Sequence, residues 1–153
     1  KKLSPNGRVR LMNGYVIDCE NVITDNNGKV SALECSFLEE TLGGKKPDDE
    51  IKPNGIVHWV DANNCLNAEV RIYDRLFNNE NPAVDENIES NLNPQSCSII
   101  KNAKVEKSLG EVQPEEKFQF NRIGYFVADR EDYSKDKLVF NRTVTLRNTW
   151  DAK

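Results

Sequence analysis

Hydrophobic and polar residues alternate along most of this chain with a period of two, the spacing of a half-buried β-strand and not of a helix. In "GRVRLMNGYVIDC", residues 7–19, Val9 and Leu11 and then Tyr15, Ile17 and Cys19 fall on every second position, with the polar Arg10 and Asp18 between members of the two sets. Asn27-Gly28 follows before the next such run, and Asn-Gly readily supplies the two positive-φ residues of a tight hairpin turn. The pattern predicts a hairpin over 20–37 and strands at 56–60, 69–75, 96–101, 118–128 and 137–147. Between them, 38–55 reads as a polar loop with Gly43-Gly44, Pro47 and Pro53. Only 84–92 has helical spacing, with Val84, Ile88 and Leu92 four apart and Asn93-Pro94 as a stop, which predicts one short helix. Eight or so short strands with regular turn signals predict an all-β barrel or sandwich in place of an α/β nucleotide-binding fold.

At 153 residues, 37% hydrophobic and 30% charged, the chain fits one large folded domain or two small ones. No window approaches the roughly 18–20 consecutive apolar residues of a membrane span. The opening Lys1-Lys2-Leu3-Ser4-Pro5 lacks the apolar core of a signal peptide, so a cytoplasmic protein without a membrane partner is expected. Cys19, Cys35, Cys65 and Cys97 are widely separated, with no CxxC pair and a single histidine, His58. Zinc spacing is missing, and four reduced thiols are expected. The Asn141-Arg142-Thr143 sequon would matter only in a secreted protein.

Net charge is -4, but it is unevenly spread. Residues 1–17 hold Lys1, Lys2, Arg8 and Arg10 without an acid, and 137–150 hold Lys137, Arg142 and Arg147 without one. The stretch 78–98 holds Glu80, Asp85, Glu86 and Glu89 without a cation. If the termini lie together they make a basic face on an acidic body, since a partner meets charge locally. An ordinary solvated distribution has the same composition.

Catalytic spacings are missing: there is no GxGxxG, P-loop, GxSxG or HExxH. His58, beside Trp59 in a strand expected to be buried, reads as a hydrogen-bonded structural histidine, because a general base needs a partner placed against it. The acidic run "PDDE" at 47–50 lacks the ligand spacing of a calcium loop and reads as solvated. A binding module with no catalytic and no metal residue is the expectation.

The most informative stretch is "FQFNRIGYF", residues 118–126, where Gln119, Asn121 and Arg122 stand among four aromatic side chains. Phe118, Phe120 and Phe126 are expected in the core. Gln119 and Arg122 are not cheaply buried unpaired, so either a surface ion pair or a ligand accounts for them. Cations for phosphates, planar groups for stacking and amides for base edges are what single-stranded nucleic-acid recognition requires.

Five ordered blocks, "KKLSPNGRVRLMNGYVI", "GIVHWVDA", "AEVRIYDRLF" followed by Asn81-Pro82, "KFQFNRIGYFVAD" and "LVFNRTVTLRNTW", resemble the C-terminal anticodon-binding region of glutaminyl-tRNA synthetases over residues 1–152. The resemblance implies two stacked six-stranded β-barrels with exchanged strands, a topology shared with a ribosomal-protein family. Residues 1–77 would form the distal barrel and 78–153 strands of the proximal one, without the first strands of the region. It implies a parent enzyme that uses ATP, with Mg, in a catalytic domain outside this chain to attach glutamine to tRNA(Gln). This part would carry no cofactor. Its partners would be the tRNA(Gln) anticodon loop and the parent's catalytic domain, with no DNA and no membrane. The tail of an archaeal or eukaryotic-type glutamyl-tRNA synthetase and a structural RNA-binding barrel are the alternatives.

By the same resemblance, Gln119 and Arg122 read the middle anticodon uridine, and Arg10 closes on the first nucleotide and its phosphate. Lys1 lies near the first base and Lys2 at the third, where the bacterial pattern has an arginine; a lysine lacks the forked contact an arginine makes. Arg147 buttresses the middle-base pocket or pairs between strands. Positions 119 and 122 have opposite parity, so in one straight strand their side chains would leave opposite faces. If both reach one base, the chain must bend near 120–122.

Overall fold

The computed structural model describes residues 3–82 and 87–146; Lys1, Lys2, Val84 and Arg147, on which expectations rest, lie outside them. The fold is all-β, in two compact units, Lys1–Trp59 and Val60–Lys153. Among the described residues, the pairing of neither unit's sheet closes into a ring.

The first unit is a four-stranded sheet of order β3-β2-β1-β4, built from β1 (Arg8–Leu11), β2 (Val16–Thr24), β3 (Val30–Leu38) and β4 (Ile56–Val57). β1 and β2 pair antiparallel, as do β2 and β3, while β4 joins β1 in parallel. The expected hairpin is present, but its turn is of another kind. Gly28 N donates to Asp25 O (2.9 Å), and Gly28 takes positive φ (76°) where Asn27 does not. The Asp25 carboxylate accepts from the backbone N–H of Asn27 and of Lys29, both 2.9 Å, and this favours the wider three-residue loop over the two-residue one. After β3 the chain enters a kinked 3-10 segment, Glu39–Gly44, inside the expected loop. Thr41 there is fully buried; its Oγ1 donates to Leu38 O (2.6 Å) and accepts from Val16 N (2.8 Å).

β4 stops at Val57, because its partner β1 ends at Leu11 and the chain turns away. His58 is therefore exposed and not in a buried strand, and Trp59 is 44% exposed with its Nε1 donating to Met12 O (2.9 Å).

The second unit is a five-stranded sheet of order β6-β5-β9-β8-β7. Its strands are β5 (Cys65–Tyr73), β6 (Cys97–Glu106), β7 (Lys117–Phe120), β8 (Gly124–Ala128) and β9 (Leu138–Thr145). β5 and β9 run parallel and the other neighbours antiparallel. β5 lies between β6 and β9 and pairs with both. One face carries the core: Ala68, Val70, Val105, Phe126, Ala128, Tyr133, Leu138 and Phe140, with Phe118 and Phe120 packed against it. Phe120 stacks on Phe126 at a centroid distance of 4.2 Å, and Phe140 meets Phe118, Phe120 and Tyr133 edge-on.

The helix expected at 84–92 is, among the described residues, a single 3-10 turn at Ile88–Asn91. Local side chains compete with a longer helix: Asn87 Oδ1 accepts from Glu89 N (3.0 Å) and Ser90 Oγ donates to Asn87 O (2.7 Å).

Candidate nucleic-acid interface

The run 118–126 is not one strand. β7 ends at Phe120, the chain reverses over Asn121, Arg122 and Ile123, and β8 begins at Gly124, with Ile123 N donating to Phe120 O (2.9 Å). The parity conflict between Gln119 and Arg122 thereby disappears, since Arg122 sits at the tip of a hairpin and not on a strand face. Arg122 has φ of 64°, in the left-handed region that L side chains adopt at a cost of about 1–2 kcal/mol. Glycine or asparagine would be the undemanding choice at the second central position of this turn.

Alternation then sorts the hairpin into two faces. Phe118 pairs with Phe126, and both turn to the core. Gln119 pairs with Tyr125, and Tyr125 with Val144 on β9. That outer row is exposed, with Tyr125 at 45% and Val144 at 57%, and Ile123 at the tip is 51% exposed. An amide, a phenol ring and a guanidinium thus stand within one short hairpin on the solvent side. The three-residue turn at 121–123 keeps the alternation in step, so Tyr125 shares its parity and its face with Gln119; the sequence alone does not mark it, because a turn one residue shorter would have placed it on the other face.

Gly124 holds the hairpin close to β9. A Cβ there would lie 2.8 Å from Val144 O, and 3.4 Å from Arg142 Cδ, whose stem lies over the glycine. The loop after β8 is fixed by an ion cluster. Arg71 of β5 donates to Glu69 (2.7 Å), Asp132 (2.5 Å) and Asp129 (3.4 Å), and Asn141 Nδ2 donates to Asp129 (2.6 Å). Burial pushes the Asp129 carboxyl up, but the backbone N–H groups of Asp132 and Glu131, the Asn141 amide and the Arg71 charge together hold it below its ordinary value.

In the first unit, the two arginines of "RVR" are treated differently. Arg8 is neutralised twice: its Nε and Nη2 form a fork on Asp18 (2.6 Å each), and Nη1 reaches both oxygens of Asp49 (2.7 Å). Its hydrogen bonds to Asp18 and then Asp49 raise its pKa, and Arg8 in turn holds the Asp49 carboxyl below its ordinary value. The "PDDE" stretch is thus not merely solvated, and the acid-free run 1–17 is not uniformly basic in space. Arg10 donates instead to backbone carbonyls, Thr41 O (2.8 Å), Gly14 O (3.3 Å) and Lys45 O. Neutral acceptors fix the guanidinium without cancelling its charge. Buried Thr41 orients one of those carbonyls, a supporting role that has no signal in the sequence.

Arg10 lies in the first unit, and Gln119 and Arg122 in the second. Among the described residues, no group of three His, Cys, Asp or Glu side chains is arranged to hold a metal ion. No helix there is long and apolar enough to cross a membrane.

Two family models, both described as the anticodon-binding domain of class I tRNA synthetases (E and Q), match this chain, one over residues 1–38 and the other over 56–129. A glutamine–tRNA ligase from Colwellia psychrerythraea is 48% identical over 150 residues, which is 98% of this chain and 27% of that protein. One from Cupriavidus necator is 49% identical, over 97% of this chain and 26% of its own length. One from Yersinia enterocolitica is 49% identical over 100% of this chain and 27% of its own. The chain spans about a quarter of the length of these curated relatives.

Proposed function

This chain belongs to the anticodon-binding domains of the class I tRNA synthetases (E and Q), as found in glutamine–tRNA ligases, and from that premise we propose that it grips the anticodon loop of tRNA(Gln). Binding energy gathered at the anticodon selects the tRNA that the parent enzyme charges with glutamine. The ATP-dependent chemistry, with its Mg, belongs to a catalytic part outside this chain. The parent works in the cytoplasm, where its tRNA is, and the domain contacts that catalytic part.

The observation that carries the reading is Arg122 in the left-handed region at the tip of an exposed hairpin. Backbone strain of this kind persists where the surrounding structure and a function demand it. Gln119 and Arg122 read the middle uridine. Uracil presents carbonyl acceptors and one imino donor on its Watson–Crick edge, which an amide and a guanidinium match. Tyr125 supplies a ring on which an unstacked base can lie. Arg10, charged and anchored on carbonyls, meets the first anticodon nucleotide and its phosphate. Lys1 and Lys2 contribute cations at the first and third bases, and Arg147 supports the middle-base pocket.

The test is titration of the chain with a tRNA(Gln) anticodon stem-loop and with a copy carrying cytidine in the middle. Preference for uridine by about 1–3 kcal/mol, by analogy with base-edge readout in duplex DNA, is expected. Equal affinity for the two loops would overturn the middle-base assignment.

A further inference from the structure

We propose that Cys19 and Cys35 are a reversible redox pair, closing to a cross-strand disulfide that ties β2 to β3. The two are register partners in the antiparallel ladder. The hydrogen bonds fix which kind of pair they are. Cys19 N donates to Gly7 O (2.9 Å), and Leu11 N donates to Tyr15 O (2.9 Å), so from Tyr15 to Cys19 the odd-numbered positions point their backbone groups toward β1 and away from β3. Cys19 and Cys35 are therefore a non-hydrogen-bonded pair, the closer of the two types, with Cα atoms about 4.5 Å apart and side chains on one face. That spacing falls within the roughly 4.4–6.8 Å a disulfide spans. The ladder shifts register immediately beyond, between Cys19 and Asn21, and this irregularity gives the pair room to adjust.

All four cysteines are free thiols, and within its own unit each of the other two lacks a facing cysteine. Cys65 pairs with Glu106 and Cys97 with Tyr73, at opposite ends of the β5–β6 ladder and eight positions apart along β5, about 26 Å at strand rise. Exposure sets the order of events, since Cys35 is exposed and Cys19 is 3% exposed. Burial, followed by the facing Cys19, pushes the Cys35 thiol up, so its reaction quickens as pH rises.

The oxidant is a low-molecular-weight disulfide such as oxidised glutathione. The Cys35 thiolate attacks one of its sulfurs and expels a glutathione thiolate. Cys19, losing its proton to solvent, then attacks Cys35 Sγ and expels the second. Two cysteine thiols are oxidised, one glutathione disulfide is reduced to two glutathiones, and two protons move from the cysteines to the products. This site shares no residue with the hairpin at 117–128, so its test does not depend on RNA.

The experiment equilibrates the chain in glutathione buffers from reduced to oxidised, blocks remaining thiols by alkylation, and maps peptides by mass spectrometry without reduction. The expected result is a peptide linking Cys19 to Cys35, lighter by two hydrogens than the reduced pair and returned to two thiols by dithiothreitol, while Cys65 and Cys97 are alkylated. Cys35→Ser is expected to abolish the link, and because the mapping is made on the unaltered chain its outcome stands whether or not that variant folds. A stable glutathione adduct on Cys35 as the end product, or alkylation of both Cys19 and Cys35 across the whole range, would overturn the proposal.

Discussion

Arg122 is the residue at which local preference and the rest of the fold disagree. A non-glycine residue at φ of 64° is retained at the hairpin tip although glycine would relieve it. Arg122→Gly is expected to raise stability by about 1 kcal/mol in chemical denaturation, because the left-handed cost disappears, while weakening anticodon stem-loop binding. A variant that loses stability, or that keeps full affinity, would remove the case for a functional trade at this position. Gly124 gives the opposite prediction. Gly124→Ala sets a Cβ 2.8 Å from Val144 O, a backbone atom that cannot swing away, and is expected to cost about 1–3 kcal/mol in the same assay. The polarity of Gln119 and Arg122 among aromatics is legible in the sequence, and so is the core placement of Phe118, Phe120 and Phe126. Tyr125 is not, because its face depends on the length of the turn at 121–123: three residues keep it in step with Gln119, two would reverse it, and no local signal fixes that length.

Among the elements, the loop following β8 is held by carboxylates around Arg71, and that makes the second unit sensitive to acid. The folded pKa of Asp129 is held below its ordinary value of 3.8, so its contribution is fully present above about pH 4 and is lost as pH falls through the depressed folded value. Asp49, held down by Arg8, gives the first unit an acid limb of the same sign. Urea unfolding between pH 5 and pH 2 is expected to show this decline, and Asp129→Asn to flatten it; an unchanged acid limb in that variant would count against the cluster as its source. The strands themselves are readable because period-two alternation survives in β1, β2, β5 and β8. The single turn at Ile88–Asn91 is not, since apolar spacing is blind to the side-chain bonds of Asn87 and Ser90 that stop a helix there. The Asn27-Gly28 turn misleads for a similar reason: the Asp25 carboxylate bonds the loop into its wider form.

Over the whole molecule, the question is how a chain of net charge -4 holds a polyanion. Segregation in the sequence points to a basic face, but pairing decides which cations count. Arg8 spends its charge on Asp18 and Asp49, whereas Arg10 retains its own on a cradle of carbonyls. Arg10→Ala is therefore expected to lower the slope of log affinity against log salt by about 0.7, one phosphate contact with a single strand, and Arg8→Ala to lower the thermal midpoint while leaving the slope unchanged. No sequence pattern separates these two arginines, since Asp49 arrives from 41 residues away. The central claim, that the tip of the β7–β8 hairpin reads a base, is tested most directly by a double-mutant cycle. Wild-type chain and Arg122→Ala are each titrated with the middle-uridine and middle-cytidine stem-loops. A uridine preference in the wild type that disappears in the variant, a coupling of about 1–3 kcal/mol, is the predicted result. A preference of the same size in both proteins, or in neither, would contradict it.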